Sequence, residues 1–240
     1  MTTSEPPSLL AVTFLLGVLT ATFAAVINGL LQPSFSTLGV LGMVLFFYLV
    51  VAPVEETVKL VAVRLYAYDD DRFAAVIDGA VYGAIAGLGF ATIENALYIS
   101  RAVGEVGGLS LGLDLIGIGG DITATRALAG PGHVVYSSFA GYYLGLAKFN
   151  PENRGPIVVK GIVVAALIHA TYNSTVGIGT GLIRVATGAP QLVAAFVYIV
   201  LYVGFFGYLL YRKMQRYEAV YHAVDAAAAG DGTGRGPDGG

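Results

Sequence analysis

Long apolar stretches, broken by short polar connections, set the pattern of this chain: Leu9–Leu31, Leu38–Tyr66, Phe73–Ser100, Gly132–Ala147, Ile157–Ile178 and Gln191–Tyr211. A helix rising about 1.5 Å per residue crosses a hydrocarbon core of roughly 30 Å in about 20 residues. The pattern therefore predicts an all-α fold, a polytopic transmembrane bundle of about six to eight helices. The second stretch is too long for a straight span and contains Pro53, which predicts a kink or two helices around Glu55 and Glu56. The fourth is short, and Pro131 suits the first turn of its helix. A Gly-rich segment from Leu109 to Leu128 reads as an interfacial or re-entrant helix, and Thr180–Thr187 as a short extra one. No basic region precedes the first stretch, so it reads as a retained span rather than a cleaved leader. Residues 1–217 form the expected integral membrane domain, and 218–240 a polar tail expected to be disordered.

Composition sharpens this picture. The chain is 56% hydrophobic and only 12% charged, where a soluble domain carries about 25% charged residues. Cysteine is absent, which excludes disulfides, thiol catalysis and cysteine-held metals, so a metal site must draw on His, Glu, Asp or Asn. With a formal net charge of −3 and no basic cluster, nothing favours a nucleic-acid partner. Lys and Arg concentrate in the loop after the second stretch, the loop after the fourth and the C-terminal region. That bias places the chain in the cell membrane as a multi-pass protein with both termini cytoplasmic.

Ionisable residues inside apolar helices are costly, about 2.5 to 3.5 kcal/mol each at a helix centre, and mark a functional site by default. Glu55 and Glu56 point about 100° apart on a helix, so one can face a cavity while the other supports the wall. Lys59 lies one turn on, within reach of both. A self-neutralising triad that packs helices is the plainer reading, but it leaves two carboxylates facing one ammonium. Glu94, one turn after Phe90 and followed by Asn95, has no Lys or Arg beside it in the apolar part of its stretch, only Arg101 two turns on, so a proton or, better, a divalent cation must compensate it. Asp78 reads as structural. His133 opens the fourth stretch, and His169 sits midway along the fifth with Asn173 one turn later; His222 lies in the polar C-terminal region and is not expected to take part.

Two imidazoles and a carboxylate form a ligand set that suits catalytic Zn²⁺. The expected arrangement has Glu94, His133 and His169 holding the metal. Glu55 or Glu56 acts as the general base, and Asn173 donates to the oxyanion or orients a ligand. The reaction would be hydrolysis of a peptide bond in a membrane protein or membrane-associated peptide, beside or within the lipid bilayer. A transporter with an ion pathway, or a non-catalytic metal-binding scaffold, are the rivals from other classes.

The stretches PVEETVKL (53–60), DGAVYGAIAGLGFATIENALY (78–98), GHVVYSSFAGYYLGLAKF (132–149) and LIHATYNS (167–174) resemble the PrsW family of intramembrane metalloproteases. More distantly they resemble the CAAX prenyl endopeptidases and bacteriocin-processing relatives. The resemblance implies a multi-helix endopeptidase whose Glu pair, Phe-x-x-x-Glu motif and two His motifs form the active site. One difficulty accompanies it. With Leu38 at the outer surface, Glu55 would lie about 25 Å deep, while Glu94 and His133 lie near the outer face. A break at Pro53, with the helix restarting higher up, is the expected resolution.

Overall fold

A computed structural model describes residues 5–105 and 121–231, and every regular element among them is helical. The helices are α1 (Pro7–Ser36), α2 (Gly39–Phe46), α3 (Ala52–Leu65), α4 (Val76–Glu105), α5 (Asp121–Lys148), α6 (Arg154–Thr187) and α7 (Gln191–Asp231). α1 begins with Pro7 at a position where a missing N–H costs nothing. α6 ends on Gly188 at φ 70°, a left-handed C-terminal residue whose N–H returns to the Arg184 carbonyl. Among the described residues, five helical runs are long and apolar enough to cross a membrane: Pro7–Ser36, Gly39–Leu65, Val76–Tyr98, Pro151–Thr187 and Gln191–Tyr221. α5 is sheltered instead, packing against α3, α4, α6 and α7, which is why it tolerates Ser, His and Tyr along its length.

A seam of small residues joins α4 to α5. Gly79, Gly83 and Gly87 of α4 face Gly141, Gly145, Ser137 and the His133 carbonyl of α5. A Cβ on Gly83 would collide with the Ser137 carbonyl, so the backbones approach as closely as small-residue packing allows. The seam fixes the register that brings His133 beside Phe90 and Glu94.

The second apolar stretch does not break at Pro53, as the sequence predicts; it stays helical throughout. A π-helical turn, Phe47–Val51, joins α2 to α3, with the Ala52 N–H reaching back five residues to the Phe47 carbonyl. The wider turn makes room for the Pro53 ring and its missing donor. Pro131 lies inside α5 rather than opening it, because the helix already starts at Asp121. Thr180–Thr187 is the end of α6, not a separate helix. The segment 106–120, read as interfacial or re-entrant, lies outside the described residues. Helix α7 continues through Asp231, so its last turns carry the start of the stretch read as a tail.

The depth difficulty is resolved by helix length. α4 continues to Glu105, about 16 Å beyond Glu94, and α5 starts at Asp121, about 18 Å before His133. Both residues thus sit mid-helix, at a level that Glu55 reaches about 24 Å along the run from Gly39. At the other end of α4, Asp78 accepts the N–H groups of Ala74 and Ala75 at 2.8 Å each, closing the first turn. Arg72 grips Asp70 instead, and its hydrogen bonds hold that exposed carboxyl well below the usual range.

Candidate active site

Four helices deliver the intramembrane polar residues to one place. α3 supplies Glu55, Glu56 and Lys59, α4 supplies Glu94, α5 supplies His133 and α6 supplies His169; Glu55, Glu56, Lys59, His133 and His169 are all buried. Lys59 is the electrostatic hub. Its Nζ lies 2.8 Å from Glu56 Oε1, 3.7 Å from Glu55 Oε2 and 2.9 Å from His133 Nδ1. It also sits 4.1 Å from the centre of the Phe90 ring, which gives the Phe-x-x-x-Glu motif a cation–π role beside its carboxylate.

The two neighbouring glutamates have different surroundings. Glu56 is saturated: Oε1 accepts from Lys59 and from His169 Nδ1 at 2.9 Å, and Oε2 accepts from Ser137 Oγ at 3.1 Å. Glu55 instead lines a cavity of about 370 Å³ together with Asn28, Glu94, His133, His169 and Asn173. Its Oε1 accepts from Asn28 Nδ2 at 3.1 Å, whereas its buried Oε2 accepts no hydrogen bond. The nearest cationic or imidazole nitrogens to that oxygen are Lys59 Nζ at 3.7 Å and His169 Nε2 at 3.8 Å. The division that a 100° separation allows is therefore realised, with Glu55 in the cavity and Glu56 in the wall.

The imidazoles differ in the same way. Glu56 holds His169 by Nδ1, so that Nδ1–H donates and the Nε2 lone pair faces the cavity, an orientation typical of metal-binding histidines. The Tyr136 ring stacks on His169 at 5.1 Å and 24° and fixes its plane. His133 accepts from Lys59 at Nδ1, and its Nε2 lies 2.9 Å from Glu94 Oε2. Glu55, His133 and His169 each present a ligand atom, all within 4.8 Å of one another. Glu94 joins this group through its contact with His133. The donor set and the unsatisfied Glu55 Oε2 suit a divalent cation.

Sequence reasoning did not single out Asn28, Ser137 or Tyr136. Asn28 carried the one legible signal, because Asn28 and Gln32 are the only amide side chains in α1, one turn apart, and both line the cavity. Ser137, one turn after His133, is indistinguishable in sequence from Ser138. Yet Ser138 bonds back to its own helix at Val134, while Ser137 reaches Glu56.

A helical membrane bundle closed around buried carboxylates, an ammonium and two imidazoles defines a polytopic membrane protein with an intramembrane polar centre. The chain belongs to the PrsW family of intramembrane metalloproteases, whose model matches residues 5–208, from α1 into α7. It is similar to the protease PrsW of Geobacillus kaustophilus, 32% identical over 127 residues covering 52% of this chain and 49% of that protein. The protease PrsW of Bacillus subtilis is 33% identical over 121 residues, covering 50% and 48%. That of Clostridioides difficile is 27% identical over 163 residues, covering 67% and 63%. The chain spans about half the length of most of the curated relatives it matches. No solved structure matches it.

Proposed function

We propose that this chain is a multi-pass endopeptidase of the cell membrane, with both termini cytoplasmic, that hydrolyses a peptide bond of a membrane protein or membrane-associated peptide inside the cavity. The observation that carries the reading is Glu55 Oε2, a buried carboxylate oxygen that accepts no hydrogen bond and faces His169 in the cavity. Such an oxygen is placed to take a proton from an attacking water and pass it to the leaving amine. Glu56, with Lys59 and Ser137 fixing it, keeps His169 oriented. Asn173, one turn from His169 and on the cavity wall, donates to the carbonyl oxygen as charge develops there.

His133, His169 and Glu94 would hold a divalent metal, with Zn²⁺ the one their donor types suit. When bound, the ion supplies Lewis-acid polarisation of the scissile carbonyl and acidifies the attacking water. Metal analysis of the purified chain tests the division of roles. The expected result is about one zinc per chain, retained by Glu55→Gln and lost by Glu94→Ala and His169→Ala. Loss of zinc from Glu55→Ala but not from Glu94→Ala would transfer the ligand role to Glu55, which lies within 4.8 Å of both imidazoles.

One contact favours a second reading, in which Glu55 drives water attack without metal. An ammonium at His133 Nδ1 leaves the proton on Nε2, where it donates to Glu94 rather than presenting a lone pair. Cleavage of a membrane-anchored reporter that survives 1,10-phenanthroline after zinc has been stripped would select this reading. Abolished cleavage, restored by added zinc, supports the first.

In both readings Asn28 is a positioning residue. It turns Glu55 so that Oε2 faces the cavity. Asn28→Ala removes one charge-assisted hydrogen bond, and the expected loss is roughly tenfold to a hundredfold in kcat. KM and zinc content should be unchanged. A purely structural Asn28 would show itself by lowering the melting temperature while leaving the kcat of the folded fraction intact.

A further inference from the structure

Far along α7 from the candidate active site, a second cavity of about 700 Å³ opens between α5 and α7. Its floor is aromatic, formed by the buried rings of Phe139, Tyr142 and Tyr143. Its rim carries three cations, Arg212, Lys213 and Arg216, and the lining contains no acidic residue. None of the three makes an ion pair among the described residues. Two of them meet rings instead: Lys213 Nζ lies 5.0 Å from the Tyr143 centroid and 5.6 Å from that of Tyr142, and Arg212 donates to the Tyr208 hydroxyl at 2.8 Å. Lys160 of α6 approaches the Tyr143 ring as well, at 5.8 Å. Among the described residues no carboxylate satisfies their N–H donors.

The position on the helix specifies the environment. Counting from Gln191, the first residue of α7, Arg212 lies about 32 Å along the axis, one hydrocarbon thickness away. Tyr208 and Tyr211 are exposed around the same level, as aromatic side chains are at a headgroup boundary. Leu209 and Val220, 41% and 63% exposed, continue the groove as an apolar surface beside the cations.

We propose that this groove binds an anionic phospholipid, its phosphate held by Arg212, Lys213 and Arg216 and its acyl chain laid along Leu209 and the α5 rings on the membrane side of the cations. Charge and shape each exclude a simpler occupant. A zwitterionic lipid leaves the excess positive charge uncompensated, and a free phosphate leaves the apolar half of the groove bare.

Native mass spectrometry of the full chain, released from nanodiscs of mixed phosphatidylglycerol and phosphatidylcholine, tests this. The expected spectrum shows one phosphatidylglycerol retained in preference to phosphatidylcholine. The triple variant Arg212→Gln, Lys213→Gln, Arg216→Gln should lower its occupancy at least ~10-fold. Leu209→Trp, which fills the membrane-side half of the groove and leaves every charge in place, should lower it as well. Each variant is accepted only if its melting temperature in a neutral detergent matches the parent. Arg64→Gln, a charge removed elsewhere on the surface, should leave retention unchanged. Equal retention of both lipids, undiminished phosphatidylglycerol in the triple variant, or full displacement by millimolar inorganic phosphate would each overturn the assignment.

Discussion

Glu55→Gln should lower kcat/KM by about three orders of magnitude on a membrane-anchored reporter in proteoliposomes, the size expected when a general base is removed from a proton transfer. The substitution is nearly isosteric, and the Gln carbonyl oxygen still accepts from Asn28 Nδ2, so the side chain keeps its place. What disappears is the basic oxygen that faces the imidazoles. Glu56→Gln supplies the contrast. That carboxylate is consumed by Lys59, His169 and Ser137, so its loss loosens the wall rather than deleting the base. It should lower the melting temperature and reduce activity less than Glu55→Gln does. Should Glu55→Gln keep more than a tenth of the activity while Glu56→Gln abolishes it, the roles assigned to the two residues are reversed.

Much of this site was legible before any coordinates. Glu55, Glu56, Glu94, His133 and His169 stand out because a charged or imidazole group in an apolar helix has few reasons to be there. The helix count followed from hydropathy, because a lipid solvent imposes a length that residue patterns display directly. What could not be read was set by neighbours far away in sequence. A 100° angle says that Glu55 and Glu56 face different ways but not which one meets the cavity; that depends on where Ser137 of α5 and Asn28 of α1 lie. Pro53 announced a distortion, while the form it takes, a π-turn that keeps the rod continuous beside α6, is not displayed by the residue pattern. The apparent mismatch in depth between Glu55 and Glu94 arose from equating the end of an apolar stretch with the end of a helix. α4 runs on past its apolar part to Glu105, so a residue near the edge of the stretch is central in the rod.

The same geometry makes Lys59 the residue on which the whole centre depends for stability. It is 1% exposed, it is the cation shared by both glutamates, and it is the donor to His133 Nδ1. Lys59→Met keeps the length and the contact with Phe90 but deletes the charge. Glu55 and Glu56 are then left as neighbouring carboxylates with no ammonium between them. Removing one partner of a buried pair costs about 3 to 5 kcal/mol, so the melting temperature should fall by roughly 6 to 20 °C. The double variant Lys59→Met, Glu56→Gln removes the stranded charge along with its partner and should recover part of that loss, giving a coupling energy of at least ~1 kcal/mol in a double-mutant cycle. Little or no loss in Lys59→Met, and no recovery in the double variant, would mean that Lys59 supports the bundle by packing on Phe90 alone. The electrostatic account of how two glutamates are tolerated side by side in lipid would then fail.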